Sequence, residues 1–214
     1  MPDLTLYIGD KNLSSWSLRP WLLLKQAGIP FAEKIIRLDR PGTKASILER
    51  SPSGLVPCLV DGDLVIWDSL AIAEYLAEAF PRKNLWPADR AARARARSIS
   101  AEMHSGFTEL RKNWPLKFSR IGLKHEPPAG VARDIERIAA IWTETRRDFG
   151  AGGPFLLGGF SIADAMYAPV VSRFMTYGPV ELPAAAAAYR ETIAALPALK
   201  EWGAGAAREV AARS

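Results

Sequence analysis

Over the first eighty residues, apolar and polar positions change in short blocks that alternate between strand-like and helical spacing, the pattern of an α/β unit. Leu4-Thr5-Leu6-Tyr7-Ile8 reads as a first strand, and Gly9 to Leu13 as a loop. Arg19 to Ala27 reads as a helix stopped by Gly28 and Pro30, with Pro20 in its first turn, where a missing N–H costs nothing. Phe31 to Leu38 is the second predicted strand, and a short helical segment follows near Ala45 to Glu49. Val56 to Val60 and Leu64 to Trp67 flank the Asp61-Gly62-Asp63 turn as a hairpin. Leu70, Ile72, Ala73, Leu76 and Phe80 then recur at helical spacing, which predicts a helix over Ser69 to Ala79 and completes a βαβαββα order.

The pattern breaks after Phe80. Pro81, Pro87 and several charges make residues 81–90 the best linker in the sequence, between a unit at 1–80 and a helical unit at 91–214. In the second unit, Ala91 to Asn113, Val131 to Phe149, Ile162 to Tyr177, Ala184 to Leu196 and Leu199 to Ala212 read as helices separated by Gly or Pro signals. Pro169 predicts a kink in the third of these, or its division in two. The expected fold is therefore α/β plus all-α.

Composition narrows the function classes. With 214 residues, 49% hydrophobic and 24% charged, the chain is an ordinary globular one. Its single cysteine, Cys58, rules out an internal disulfide, and no apolar run approaches the roughly 20 residues of a membrane helix, so a soluble, cytoplasmic protein is expected. The Met1-Pro2-Asp3 start lacks the basic and apolar regions of a signal peptide. The net charge of +5 raises a nucleic-acid reading, but Arg90, Arg93, Arg95 and Arg97 sit among alanines with no aromatic residue to stack on bases. They read as a solvated or subunit-facing helix. No metal-ligand spacing is visible.

Three places carry candidate chemistry. Asn12-Leu13-Ser14-Ser15-Trp16-Ser17 is a hydroxyl-rich entry to the first helix, where free N–H groups and the helix dipole favour a thiolate or carboxylate and a serine adds an O–H donor. One of these serines also suits a helix cap. In Ser53-Gly54-Leu55-Val56-Pro57-Cys58, a cis Val56-Pro57 bond would turn the Val56 amide and carbonyl outward to pair with a peptide ligand. Asp68-Ser69 opens the third helix, where Ser69 can hold a carboxylate and Asp68 an ammonium.

In this order and over essentially the whole chain, these features resemble the glutathione S-transferase superfamily. The resemblance rests on Val56-Pro57, on Asp68-Ser69-Leu70-Ala71-Ile72-Ala73-Glu74-Tyr75-Leu76, and on Phe160-Ser161-Ile162-Ala163-Asp164-Ala165, where Ser161 and Asp164 form a reciprocal capping box. It implies a thioredoxin-like first domain, a helical second domain, a homodimer, and glutathione as cosubstrate with no tightly bound cofactor. The Ser14-Ser15 loop is most similar to the serine type, particularly the zeta class, with Trp16 where that class has a cysteine. Ser14 then matches the activating hydroxyl with Ser15 in reserve, and Ser15, Trp16, Val56, Pro57, Asp68 and Ser69 match the glutathione site.

The resemblance implies a transferase that stabilises the glutathione thiolate for attack on a small electrophile. Isomerisation, dehalogenation and peroxide reduction are variants of that chemistry. Lowering a thiol pKa of about 8.5 by about 2 units requires roughly 2.7 kcal/mol, which a charge-assisted hydrogen bond of about 1.5–3 kcal/mol and a helix dipole of about 0.3–1 kcal/mol supply. The electrophile side is expected on one helical face with His104, Thr108 and Arg111, and with Phe107 nearby. Tyr7 lies inside the first strand and reads as a core or lining residue, and Cys58, away from any helix start, reads as a buried inert thiol. The alternative from another class is a non-catalytic glutathione-binding or protein-interaction member of the fold.

Overall fold

The computed structural model describes residues 4–212; Met1–Asp3 and residues 213–214, which begin and end the units expected from sequence, lie outside the described residues. Four strands form one mixed sheet in the order β2-β1-β3-β4, with β1 at Leu4–Ile8, β2 at Ala32–Ile35, β3 at Cys58–Asp61 and β4 at Leu64–Trp67. β1 runs parallel to β2 and antiparallel to β3, and its alternation places Leu4, Leu6 and Ile8 in the core while Thr5 and Tyr7 are half-buried.

Helix α1 spans Ser15–Ala27, four residues earlier at its start than the sequence pattern predicts. Ser14 supplies the reason: its Oγ accepts the Ser17 N–H at 3.2 Å and caps the helix there, so Pro20 falls inside it and leaves only the Trp16 carbonyl without its usual partner. The helix ends on Gly28 at φ +60°, where the Ile29 N–H returns to the Leu24 carbonyl. Leu18, Trp21, Leu22, Leu23 and Leu24 are all buried, because α1 packs against three other helices: α3 (Ser69–Ala79), α7 (Ile162–Thr176) and α9 (Pro197–Ala211).

Shorter differences follow local chemistry. β2 is confined to Ala32–Ile35 rather than Phe31–Leu38, and α2 occupies Thr43–Leu48. β3 begins at Cys58, after the cis Val56-Pro57 bond, because a proline has no N–H to give to the ladder. The predicted helix Ala91–Asn113 is two helices, α4 (Arg90–Ser105) and α5 (Thr108–Asn113). A side chain at Gly106 would meet the Glu102 carbonyl oxygen at 2.7 Å, and Phe107 takes φ +54°, so the chain turns at this pair. α6 (Ala129–Phe149), α7, α8 (Ala184–Ala195) and α9 complete the helical part, and α7 remains one helix across Pro169.

Along α4, Arg93 donates to the Pro87 and Ala88 carbonyls, Arg95 faces Glu144 and Asp148, and Arg97 pairs with Glu74. Much of the basic run is thus matched within the chain. Among the described residues, no helix is long and apolar enough to cross a membrane, and no cluster of side chains could hold a metal ion.

Candidate active site

The loop between β1 and α1 is held from both sides. Its main chain turns on the Asp10 carbonyl, which accepts from Leu13 and Ser14, while the Asp10 carboxylate accepts from Arg37 and from the Leu38 N–H. From α9, Trp202 donates to the Lys11 carbonyl at 2.8 Å and Glu209 accepts the Asn12 N–H. The start of α1 is therefore fixed before any ligand arrives.

The two serines at that start are not equivalent. Ser14 Oγ donates to Ser17 Oγ at 2.7 Å and accepts the Ser17 N–H, so its hydrogen is committed to the Ser17 hydroxyl and its oxygen to the helix cap. Ser15 Oγ accepts from Arg173 Nη2 at 3.3 Å, and its own hydrogen has no acceptor among the described residues. Both serines are buried.

Beside them lies a cleft of about 290 Å³. Trp16, Val56, Pro57, Asp68 and Ser69 line it, as does His104 from α4. The structure thus brings together five of the six residues that the resemblance assigns to glutathione, whereas Ser14 and Ser15 do not line the cleft. Neither the N–H nor the C=O of Val56 has a hydrogen-bond partner among the described residues, which leaves both for a ligand.

Asp68 begins α3 at φ +74°, and its Oδ1 accepts the N–H groups of Leu70 and Ala71. Its Oδ2 lies 3.0 Å from His104 Nε2 of α4. Burial pushes the His104 imidazole below its ordinary value more than the Asp68 carboxylate raises it, with Arg19 and Arg111 adding to the downward push. His104 also meets Trp16 edge-on, with ring centres 5.3 Å apart.

The expected electrophile face is not one face. The turn at Gly106–Phe107 separates His104 from Thr108 and Arg111, buries Phe107, and leaves Thr108 exposed and away from the cleft. Arg111 still reaches the back of the site, with its guanidinium 5.3 Å from the Trp16 ring centre. Tyr7 and Cys58 do not line the cleft. Cys58 is buried, its thiol pointing to the Arg50 carbonyl, and burial pushes that thiol up.

Ser53 and Leu55, from the segment around Pro57 but given no role of their own in the sequence reading, and Trp67, which it missed, complete the lining; it also missed two buried arginines near the site. Arg19 lies on α1 with its guanidinium 4.2 Å from the Trp16 ring centre and Nη1 at 3.4 Å from Ser69 Oγ. Arg173 lies on α7. The signal for both was an arginine inside an otherwise apolar helical run.

Residues 13–79 match the glutathione S-transferase N-terminal domain and residues 128–202 the C-terminal domain. Glutathione S-transferase GstB of Escherichia coli (strain K12) is 46% identical over 172 residues, covering 78% of this chain and 82% of that protein. The chain belongs to the glutathione S-transferase superfamily. It is also 28% identical over 184 residues to a stringent starvation protein A homolog of Coxiella burnetii, covering 86% of this chain and 81% of that one. A crystal structure of a glutathione transferase homolog from Burkholderia GL BGR1 with bound glutathione superposes with a TM-score of 0.70 at 25% identity, covering 94% of this chain and 96% of the other.

Proposed function

We propose that this superfamily member is a glutathione transferase whose cleft binds glutathione and whose α1 serines stabilise its thiolate for attack on a small electrophile. The observation that carries the reading is the cleft itself, lined by Val56 with its main chain free among the described residues, by Asp68 and Ser69 at a helix start, and by Trp16 of the α1 start. Position in the motif favours Ser14 as the activating hydroxyl. The hydrogen bonds support Ser15, whose proton is uncommitted and whose oxygen already faces a cation, which makes it a better donor to an anion. A homodimer in the cytoplasm belongs to the same reading, supported by the exposed Leu64, Val65 and Trp67 of edge strand β4; mass by light scattering decides it.

One observation favours a second reading, glutathione binding without turnover: both serines are buried and neither lines the cleft. The ultraviolet absorbance of bound glutathione thiolate, followed from about pH 5 to 9, separates the two. A catalytic site shows a thiolate pKa about 2 units below the free thiol. Ser15→Ala should raise it by about 1–2 units, equivalent to roughly 1.4–2.7 kcal/mol, and Ser14→Ala by less. The reverse order returns the role to Ser14, and binding with no thiolate in the wild type supports the second reading.

A further inference from the structure

Between α5 and α6 the chain runs through residues 114–128 with no helix or strand, a length at which a loop is uncommon unless it is disordered or functional. This one is ordered by its main chain. The Phe118 N–H donates to the Asn12 carbonyl and the Ser119 N–H to the Asn12 side-chain oxygen, while the Gly122 and Leu123 N–H groups donate to the Met175 and Thr176 carbonyls at the end of α7. Gly122 takes φ +71°, so the chain turns sharply beside Ile121.

The side chains on this frame are not used to hold it. Ile121 is 71% exposed, more than any other large apolar side chain among the described residues. Lys117, Arg120 and Lys124 are exposed, and none of the three has a side-chain hydrogen bond or ion pair among the described residues. Glu126 is the one acidic residue of the loop. The loop borders a cavity of about 310 Å³, shared with the β1–α1 loop and α9, in which Leu13, Leu123 and Val210 give the apolar lining and Lys117 and Arg120 the charge. This cavity has no lining residue in common with the glutathione cleft.

We propose that this face docks an acidic segment of another protein, which seats an apolar side chain in the cavity and sets carboxylates against Lys117 and Arg120. Charge complementarity gives the sign of the partner, since two lining cations without a carboxylate of their own are matched by acidic residues on either side of an apolar anchor. The concave shape separates this partner from other polyanions. A bilayer surface leaves a concavity unfilled, and a sugar–phosphate chain brings no apolar group to Leu13, Leu123 and Val210. Phe118 packs half-buried against Gly203 of α9, so it does not stand out to stack on bases. The inference goes beyond the transferase reading and does not depend on it.

The probe is a fluorescein-labelled helical peptide of glutamates with leucines at i, i+3, i+4 and i+7, followed by anisotropy; one control peptide has serine for each leucine and another glutamine for each glutamate. The wild type should bind the first peptide at least about tenfold tighter than either control. Lys117→Gln with Arg120→Gln should weaken that binding about tenfold and flatten its salt dependence, and Ile121→Ser should weaken it about threefold. Arg82→Gln with Arg90→Gln, which removes the same charge elsewhere, should change it by less than about twofold, and glutathione affinity by calorimetry should stay within about twofold in every variant. No binding of the first peptide, equal binding of the three peptides, or equal loss in the two double variants overturns the proposal. So does tighter binding to phosphatidylglycerol-containing vesicles or to single-stranded RNA that is lost with Lys117 and Arg120, which would assign the face to a bilayer or a nucleic acid instead.

Discussion

Helices α7 and α1 both begin on a serine beside other polar side chains, yet one start is closed and the other is left open. At α7 the Asp164 carboxylate accepts from the Ser161 N–H, the Ser161 hydroxyl and the Leu156 N–H, and all of these groups are buried. At α1 and the adjacent α3 start, among the described residues, Ser15 keeps a proton with no acceptor, Arg19 keeps a buried N–H with no partner, and the Val56 amide stands free. Closed polar groups stabilise a fold, whereas groups left with bonding capacity at a cleft need a ligand to complete them. Residue type alone does not separate the two cases; leftover hydrogen-bond capacity does.

The largest effect should come from breaking the closed start. Asp164→Ala strands three donors in the core and should cost about 3 kcal/mol in urea denaturation, while glutathione affinity by calorimetry stays within about twofold. A large affinity loss without a stability loss would reverse the comparison. The same group has a pH signature. Burial raises Asp164 from 3.8 to about 6 in spite of its hydrogen bonds, so between those values the folded protein holds a proton that the unfolded chain releases. Stability relative to Asp164→Asn should therefore be greatest below about pH 4 and should decline as pH rises through about 6. A relative stability that rises over that window would show the hydrogen bonds outweighing burial.

The open start should respond in the opposite way. Replacing Asp68 and Ser69 together by alanine should weaken glutathione binding about 10- to 100-fold, roughly 1.4–2.7 kcal/mol, at a stability cost of about 1 kcal/mol for the lost α3 cap. Unchanged affinity in this double variant would remove the anion and ammonium subsites from the reading.

These two starts also show how much was legible beforehand. The Ser161–Asp164 box could be read directly, because its partners are three residues apart and capping is a local interaction. Asp68-Ser69 at the start of α3 was legible for the same reason, and so were the strands and most helices, whereas the isomer of the Val56-Pro57 bond was not, because nothing local in the sequence selects it. The turn at Gly106–Phe107 was not: both flanks are helix-forming, and the deciding contact is the space a Cβ would need beside the Glu102 carbonyl. Arg19 and Arg173 were out of reach because they are separated by 154 positions in sequence and meet only through the packing of α1 on α7. The distinction between Ser14 and Ser15 depends on that same packing, since Arg173 reaches one hydroxyl and Ser17 the other.

The smallest expected effect concerns the bridge that joins the open start to the helical domain. His104 Nε2 lies 3.0 Å from Asp68 Oδ2, a distance that looks like a salt bridge, but burial holds the imidazole below its ordinary value of 6.5. A histidine depressed in the folded state costs stability when protonated: above the ordinary value both states are neutral, and as pH falls through it the unfolded chain takes up a proton first. The wild type should therefore lose stability relative to His104→Gln as pH is lowered from 8 through about 6.5, modestly because the ring is partly exposed. Urea midpoints of the two proteins at several pH values measure this. If the wild type instead gains on acidification, the Asp68 charge outweighs burial, and the open start carries an ion pair that glutathione's ammonium would have to displace.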